Sequence, residues 1–154
     1  MLSALRSLLK TDIKQENASA TADQAARLAC AALLARAAWL DGSLDESEEK
    51  ALIDLIMLRF CLNVKEAGQL LREAADDLET SNDIYRYTKV LRSNFNMDER
   101  LKLIEMVWEV VYADGKLNEF EATLMRRLAG LLYIEDRDSG DARKRVLQKL
   151  GLED

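Results

Sequence analysis

The chain contains no histidine and no proline among its 154 residues, and it has only six glycines. Without histidine it cannot form a Ser-His-Asp or Cys-His nucleophile system, and it lacks the usual neutral-pH general base and a common ligand of catalytic zinc. Proteins built from strands and tight turns rarely avoid proline entirely, whereas helix interiors exclude it. The composition therefore predicts an all-α protein and disfavours a conventional enzyme.

Basic residues are also scarce relative to acidic ones. The chain has 22 Lys and Arg against 28 Asp and Glu, which gives a net charge of −6. Because binding to nucleic acid requires clustered Lys and Arg, we expect no nucleic-acid partner. No apolar run approaches the roughly 18 residues of a membrane span, and we find no signal peptide. We therefore expect a cytoplasmic protein.

The two cysteines, Cys30 and Cys61, both lie in apolar stretches. We predict that both are small core residues, because two thiols without histidine make a poor zinc site and a cytoplasmic protein seldom forms disulfides.

Several helix starts are marked by a short polar residue that is followed three residues later by Glu or Gln, the pattern of a capping box. Apolar residues at helical spacing predict two further helices, one from about Ser81 to Phe95 and one from about Asp141 to Leu150, ending at Gly151. In total we expect seven to eight helices in a compact bundle. The capping pairs are Thr21/Gln24, Asp45/Glu48, Asn63/Glu66, Asn96/Glu99 and Asn118/Glu121.

Residues 1–17 are predicted to be an amphipathic helix and linker that precede a domain at residues 18–154. A helix of this kind can lie on a membrane surface or bind the groove of a partner. The commoner outcome for a terminal segment is weak packing on its own domain or a flexible start. The apolar face would carry Leu2, Leu5, Leu8, Leu9 and Ile13, with Arg6, Lys10 and Lys14 opposite or beside it.

The most informative feature is an internal repeat, in which residues 28–55 align without gaps with residues 101–128. Each copy reads as an apolar helix, an Asp-Gly turn and a second helix. Such repeats usually place equivalent sites about a pseudo-symmetry axis, so the two acidic turns could lie near each other. The identical pairs are Leu28/Leu101, Asp41/Asp114, Gly42/Gly115, Leu44/Leu117, Glu46/Glu119, Glu48/Glu121 and Leu55/Leu128. We expect Trp39, Leu44, Leu55, Tyr112, Leu117 and Leu128 to be mostly buried.

The turn sequence Asp-Gly-x-Leu-x-x-x-Glu matches the second half of an EF-hand calcium loop. The first half requires oxygen ligands four and two residues before the Asp, where the copies have Ala37 and Trp39, and Val110 and Tyr112. Neither copy can therefore form a complete EF-hand.

Two interpretations of the acidic turns stay open. In the structural one, the Asp stabilises the bend, the Gly takes a positive φ and the Glu completes a capping box. In the functional one, the same carboxylates gather a divalent cation, with calcium or magnesium favoured over zinc because the ligands are hard oxygens.

The two signatures, at residues 38–48 and 111–121, resemble those of the TerB-like family, and the similarity spans about residues 25–150. The family is named for the tellurite-resistance protein TerB and is related to the N-terminal domain of a membrane-anchored DnaJ-type co-chaperone. The resemblance implies an all-α domain of about seven helices with an acidic metal-binding surface, acting in bacterial stress or metal-resistance systems linked to membrane proteins. By position, its metal ligands would be Asp41, Glu48, Asp114 and Glu121, with Glu46 and Glu119 as secondary candidates.

Three functional classes remain. The leading hypothesis is a non-enzymatic module of a tellurite or metal-stress response that binds a divalent cation and a protein partner. The alternative is a pure protein-binding adaptor that docks to a membrane-associated partner, which would place the protein at the periphery of the inner membrane; a weak homodimer also stays open. A carboxylate-metal hydrolase is disfavoured, because helical-bundle metalloenzymes commonly use Glu-x-x-His pairs and this chain has no histidine.

Overall fold

The computed structural model describes residues 23–39, 46–81, 83–113, 115 and 117–152. Within these ranges the chain forms seven helices, and none of the described residues lies in a β-strand, which confirms the all-α prediction. No helix in this part of the chain is long and apolar enough to cross a bilayer. The helices are α1 (residues 23–38), α2 (Glu46–Phe60), α3 (Val64–Ser81), α4 (Ile84–Asn94), α5 (Met97–Val111), α6 (Glu119–Leu131) and α7 (Asp136–Leu150).

Helix α1 is buried on all sides through its middle, since every residue from 29 to 35 is buried. A helix that is apolar all round must be surrounded by other elements, so α1 lies in the core. Cys30 is among these residues, as predicted. Burial disfavours its thiolate and raises the pKa of Cys30 to about 12, against an opposing effect of the Arg59 charge.

Helix α5 packs against α2, α6 and α7, while α3 packs on α2 and α4 on α6. Along the contact between α5 and α7, the buried indole Nε1 of Trp108 donates to the carbonyl oxygen of Ser139 at 3.1 Å. Two ion pairs extend this contact, Arg145 with Glu105 at 3.2 Å and Lys149 with Glu109. Both pairs show that the C-terminal half of α7 lies beside the C-terminal half of α5.

Three of the five expected capping boxes are confirmed. In each, the Asn side chain accepts a hydrogen bond from the backbone N–H of the Glu three residues on, and the Glu carboxylate accepts from the backbone N–H of the Asn. The distance from the Glu backbone nitrogen to the Asn Oδ1 is 2.8 Å for Glu66 and Asn63, 2.9 Å for Glu99 and Asn96, and 2.8 Å for Glu121 and Asn118. Thr21 and Asp45 lie outside the described residues.

Two predicted helix starts are wrong. Helix α4 begins at Ile84 rather than near Ser81, because Asp83 caps it by accepting from the backbone N–H groups of Tyr85 and Arg86. Helix α7 begins at Asp136, five residues before the expected Asp141. Its N-cap, Glu135, makes no side-chain capping bond, so no capping pattern marked this start, but acidic residues in the first turn suit the positive end of the helix dipole. Its predicted end is confirmed, since Gly151 adopts the left-handed conformation with φ 70°.

The prediction that both cysteines are core residues is wrong for Cys61. This residue is exposed and has a positive φ of 53° immediately after α2. The next backbone N–H, that of Leu62, donates to the carbonyl oxygen of Met57 at 3.2 Å, the bond of a Schellman-type helix end. Cys61 therefore occupies the turn position that glycine usually takes. Residues 1–17, the predicted amphipathic helix and linker, lie outside the described residues.

Candidate functional site: an acidic cleft shared by the two repeats

The two repeats place equivalent helices at equivalent positions. Helix α2 begins at Glu46 and α6 begins at Glu119, which are paired residues in the repeat alignment. The burial prediction holds for Tyr112 and Leu128, while Trp39, Leu55 and Leu117 are only half-buried. Leu44 lies outside the described residues.

The turn of the second repeat has part of the expected geometry. Gly115 has φ 85°, as predicted, and its backbone N–H donates to the carbonyl oxygen of Tyr112 at 2.9 Å. Glu121 is only 8% exposed, and its Oε1 accepts from the backbone N–H of Asn118 at 3.2 Å. The structural interpretation of Glu121 as a capping residue is therefore correct, and it does not exclude ligation, since a carboxylate offers about four acceptor positions.

The remaining candidate ligands divide into two groups. Asp41 and Asp114 lie outside the described residues, whereas Glu48 is half-buried in the first turn of α2, and Glu46 and Glu119 are exposed. No group of three or more Cys, Asp or Glu side chains in the described part of the chain converges on a point that could hold a metal ion. The cation site at Asp41, Glu48, Asp114 and Glu121 stays a prediction.

The equivalent glutamates Glu48 and Glu121 line the same cleft, which has a volume of about 640 Å³. The cleft lies between the C-terminal ends of α1, α5 and α7, the exposed face of α2 and the start of α6. Its size is within the usual range of ligand pockets. The sequence indicated that the two acidic turns could approach each other, and the glutamates that follow these turns do share a cleft.

The walls of the cleft are mainly apolar and its charged groups are mainly acidic. Among its described lining residues, Lys149 is the one basic side chain, and it is paired with Glu109. The acidic lining residues are Glu48, Asp54, Glu109 and Glu121, and large apolar ones are Leu52, Leu55, Leu58, Val110 and Leu150.

Sequence reasoning missed the contribution of α7 to this cleft. Lys149 and Glu109 are 40 residues apart, and no local pattern indicates that these residues meet. The sequence of α2 did indicate a second apolar surface. This helix has apolar residues on every face, whereas one apolar face is enough to pack on the core. The additional face includes Leu58, which lines the cleft.

Helices that begin at equivalent residues of the two repeats and a cleft lined by both repeats define an all-α repeat domain. A family model described as Tellurite resistance protein TerB matches residues 27–144. The match covers more than half of the chain and includes both repeats, so the chain belongs to the TerB family, as the resemblance indicated, and is a tellurite-resistance-related module. Comparison with curated proteins and with solved structures gave no match.

Proposed function

We propose that this protein is a non-enzymatic TerB module of a tellurite or metal-stress response, which binds a divalent cation at its paired acidic turns and a protein partner at the adjoining cleft. One observation carries the proposal: Glu48 and Glu121, the same residue in the two repeats, line one cleft. Duplication has thus placed equivalent carboxylates around a common space.

The proposed cation ligands are Asp41, Glu48, Asp114 and Glu121. Hard carboxylate oxygens favour calcium or magnesium. Each turn has only half of an EF-hand ligand set, so we expect weak affinity, in the high-micromolar to millimolar range. Binding rather than catalysis is favoured because the chain has no histidine to activate a nucleophile such as Ser47, which also lines the cleft.

The test compares the wild type with the double variant Asp41→Asn/Asp114→Asn. Asparagine serves turns and helix caps about as well as aspartate, so the variant removes charge with little effect on local structure. Calcium and magnesium are titrated by calorimetry, and Tm is followed in parallel. At a hundredfold excess of metal over Kd, the wild type gains about 2.7 kcal/mol, which raises Tm by roughly 5–10 °C, and the variant gains far less.

A matched control removes two exposed carboxylates away from the turns, in the variant Asp76→Asn/Asp98→Asn. It has the same net charge as the test variant and retains the full response to the metal. Equal Tm shifts in the wild type and in Asp41→Asn/Asp114→Asn would remove these residues from the cation site.

The adaptor hypothesis has its own support in the apolar wall of the cleft. Leu58 is 77% exposed and Leu150 is 42% exposed, although both are large aliphatic side chains. Contiguous exposed apolar surface with a polar rim is typical of interaction sites. A partner bound there would lie beside the proposed cation ligands, so the two activities can be coupled.

A further inference from the structure

Helix α2 has a second apolar stripe beside the face that packs on the core. The core face buries Leu52 and Ile56. The stripe consists of Ala51, Leu55 and Leu58, which are spaced by four and three residues and therefore lie within about 60° of one another around the helix axis. Apolar residues at this spacing are typical of a helix that packs against another helix. Leu58 is 77% exposed, so no described helix covers this end of the stripe.

Charged residues flank the stripe on both sides. Leu55 and Leu58 line the cleft and also a groove between α2 and α5. Most of the charged side chains that line the cleft or the groove make a hydrogen bond or an ion pair. The two that make neither with any described residue are Asp54, on the cleft side, and Lys102, on the groove side. The stripe therefore lies between one free carboxylate and one free ammonium group, both on exposed residues.

We propose that this face binds the same face of a second copy of the chain in a two-fold symmetric dimer. The inference rests on the proposed protein-binding role of the cleft and names the partner. A two-fold interface brings one residue of each copy to a second residue of the other copy, so every contact occurs twice. With the axis along the stripe, Leu58 packs on the stripe of the other copy, and Asp54 of each copy meets Lys102 of the other.

The charges favour a second copy over a partner of either charge. The chain has a net charge of −6, so two copies repel each other where their acidic surfaces meet. At the stripe, however, the two free charges have opposite signs. A basic partner would match only Asp54 and an acidic partner only Lys102, whereas a second copy matches both.

The expected dimer is weak. One helical stripe with two exposed ion pairs is smaller than a standard interface, which buries roughly 800 Å² per partner. We therefore expect a Kd on the order of 10–100 µM. Because Leu58 also lines the cleft, the dimer covers part of the cleft, and any other protein that binds there competes with the second copy.

Charge reversal in the full-length protein tests the pairing. Asp54→Lys and Lys102→Asp each turn both intermolecular ion pairs into repulsive contacts, so each should weaken dimerisation by at least about tenfold. An equimolar mixture of the two variants should dimerise about as tightly as the wild type. In the mixed dimer the two substituted side chains meet as one ion pair, and the two unsubstituted ones form the other. Sedimentation equilibrium over concentrations that span the expected Kd provides the measurement.

Matched controls separate the stripe from the rest of the surface. Leu58→Ser should leave the protein folded and monomeric, since the side chain is exposed. Phe120→Ser removes an apolar side chain that is 78% exposed but lines neither the cleft nor the groove, and it should leave the Kd unchanged. Asp76→Lys makes the same charge change as Asp54→Lys at an exposed site on α3, and it should also dimerise like the wild type.

A wild type that stays monomeric over the whole concentration range would overturn the proposal. A mixture of the charge variants that stays monomeric would do the same, as would assemblies larger than a dimer, because a two-fold interface closes at two copies. Sedimentation is run in a chelator, and calcium is titrated separately into the wild type. A monomer that responds to calcium would overturn this inference alone, whereas a dimer without that response would overturn only the proposed cation site.

Discussion

Replacing Trp108 by Phe tests the contact that holds α7 against α5. The indole Nε1 lies 3.1 Å from the carbonyl oxygen of Ser139 and 3.3 Å from its Oγ, and both residues are buried. Phe retains most of the packing but has no donor. The substitution therefore leaves the carbonyl oxygen and the Oγ of Ser139, two buried acceptors, without the indole donor.

The expected cost follows from this geometry. A buried polar group that loses its partner costs about 1–3 kcal/mol, and the smaller ring adds a packing loss. We expect Trp108→Phe to lower the free energy of unfolding by about 2–3 kcal/mol. For a chain of this size, Tm then falls by roughly 4–12 °C.

A double-mutant cycle separates the hydrogen bond from the packing. Ser139→Ala alone is expected to cost about 1 kcal/mol or less, since the indole retains the carbonyl acceptor. The combined variant should be more stable than the sum of the two costs predicts, by about 0.5–1 kcal/mol. The reason is that Ser139→Ala removes the Oγ that Trp108→Phe alone leaves buried without its donor.

Urea unfolding followed by far-UV circular dichroism provides the assay, with Ser93→Ala on the exposed face of α4 as the control for a Ser-to-Ala change. If the two changes in the free energy of unfolding are strictly additive in the combined variant, the contact between Trp108 Nε1 and Ser139 Oγ does not contribute to stability. A cost of Trp108→Phe below about 0.5 kcal/mol, the scale of a surface substitution, would refute the buried contact altogether.

Three further predictions concern burial. Leu128→Ala, at a fully buried site, should cost about 3–5 kcal/mol by chemical denaturation, whereas the half-buried Leu117→Ala should cost about 1–2 kcal/mol; a larger cost at Leu117 would contradict their relative burial. At pH 8 the native protein should show one reactive thiol, Cys61, and a second only in denaturant, because burial raises the pKa of Cys30 to about 12; stability should therefore fall as pH rises from about 9 toward 12, and less so in Cys30→Ala. Deleting residues 1–14 should leave a cooperative transition with Tm shifted by at most about 5 °C, since terminal segments usually add little to the stability of a domain, whereas loss of the folded state would place the segment in the core.

The parts of the fold that could be predicted from the sequence are those fixed by local chemistry. Asn63, Asn96 and Asn118 mark helix starts because an Asn side chain can bond the free backbone N–H groups of a first turn. The start of α7 was missed because Glu135 makes no such bond. The turn at Cys61 was missed because its positive φ is set by the end of α2 and not by a glycine.

The candidate site was predictable only where the repeat itself carried the information. The alignment pairs Glu48 with Glu121, and both line the cleft. The repeat alignment says nothing about the part of the cleft that α7 supplies. There, Lys149 contacts Glu109, and these residues lie on two helices that are separated in sequence by α6. Such contacts depend on how the helices pack, which no local spacing records.

The buried position of α1 has a consequence during synthesis. The helix ends at residue 38, whereas α5, whose residues Val110 and Val111 face the same cleft as the end of α1, is completed only about 70 residues later. At translation rates of roughly 5–20 residues per second, α5 is completed about 4–14 s after α1. Throughout that interval a segment that is apolar on every face has no native cover on the α5 side. A helix whose middle is fully buried in the finished protein is thus an aggregation-prone segment of the growing chain.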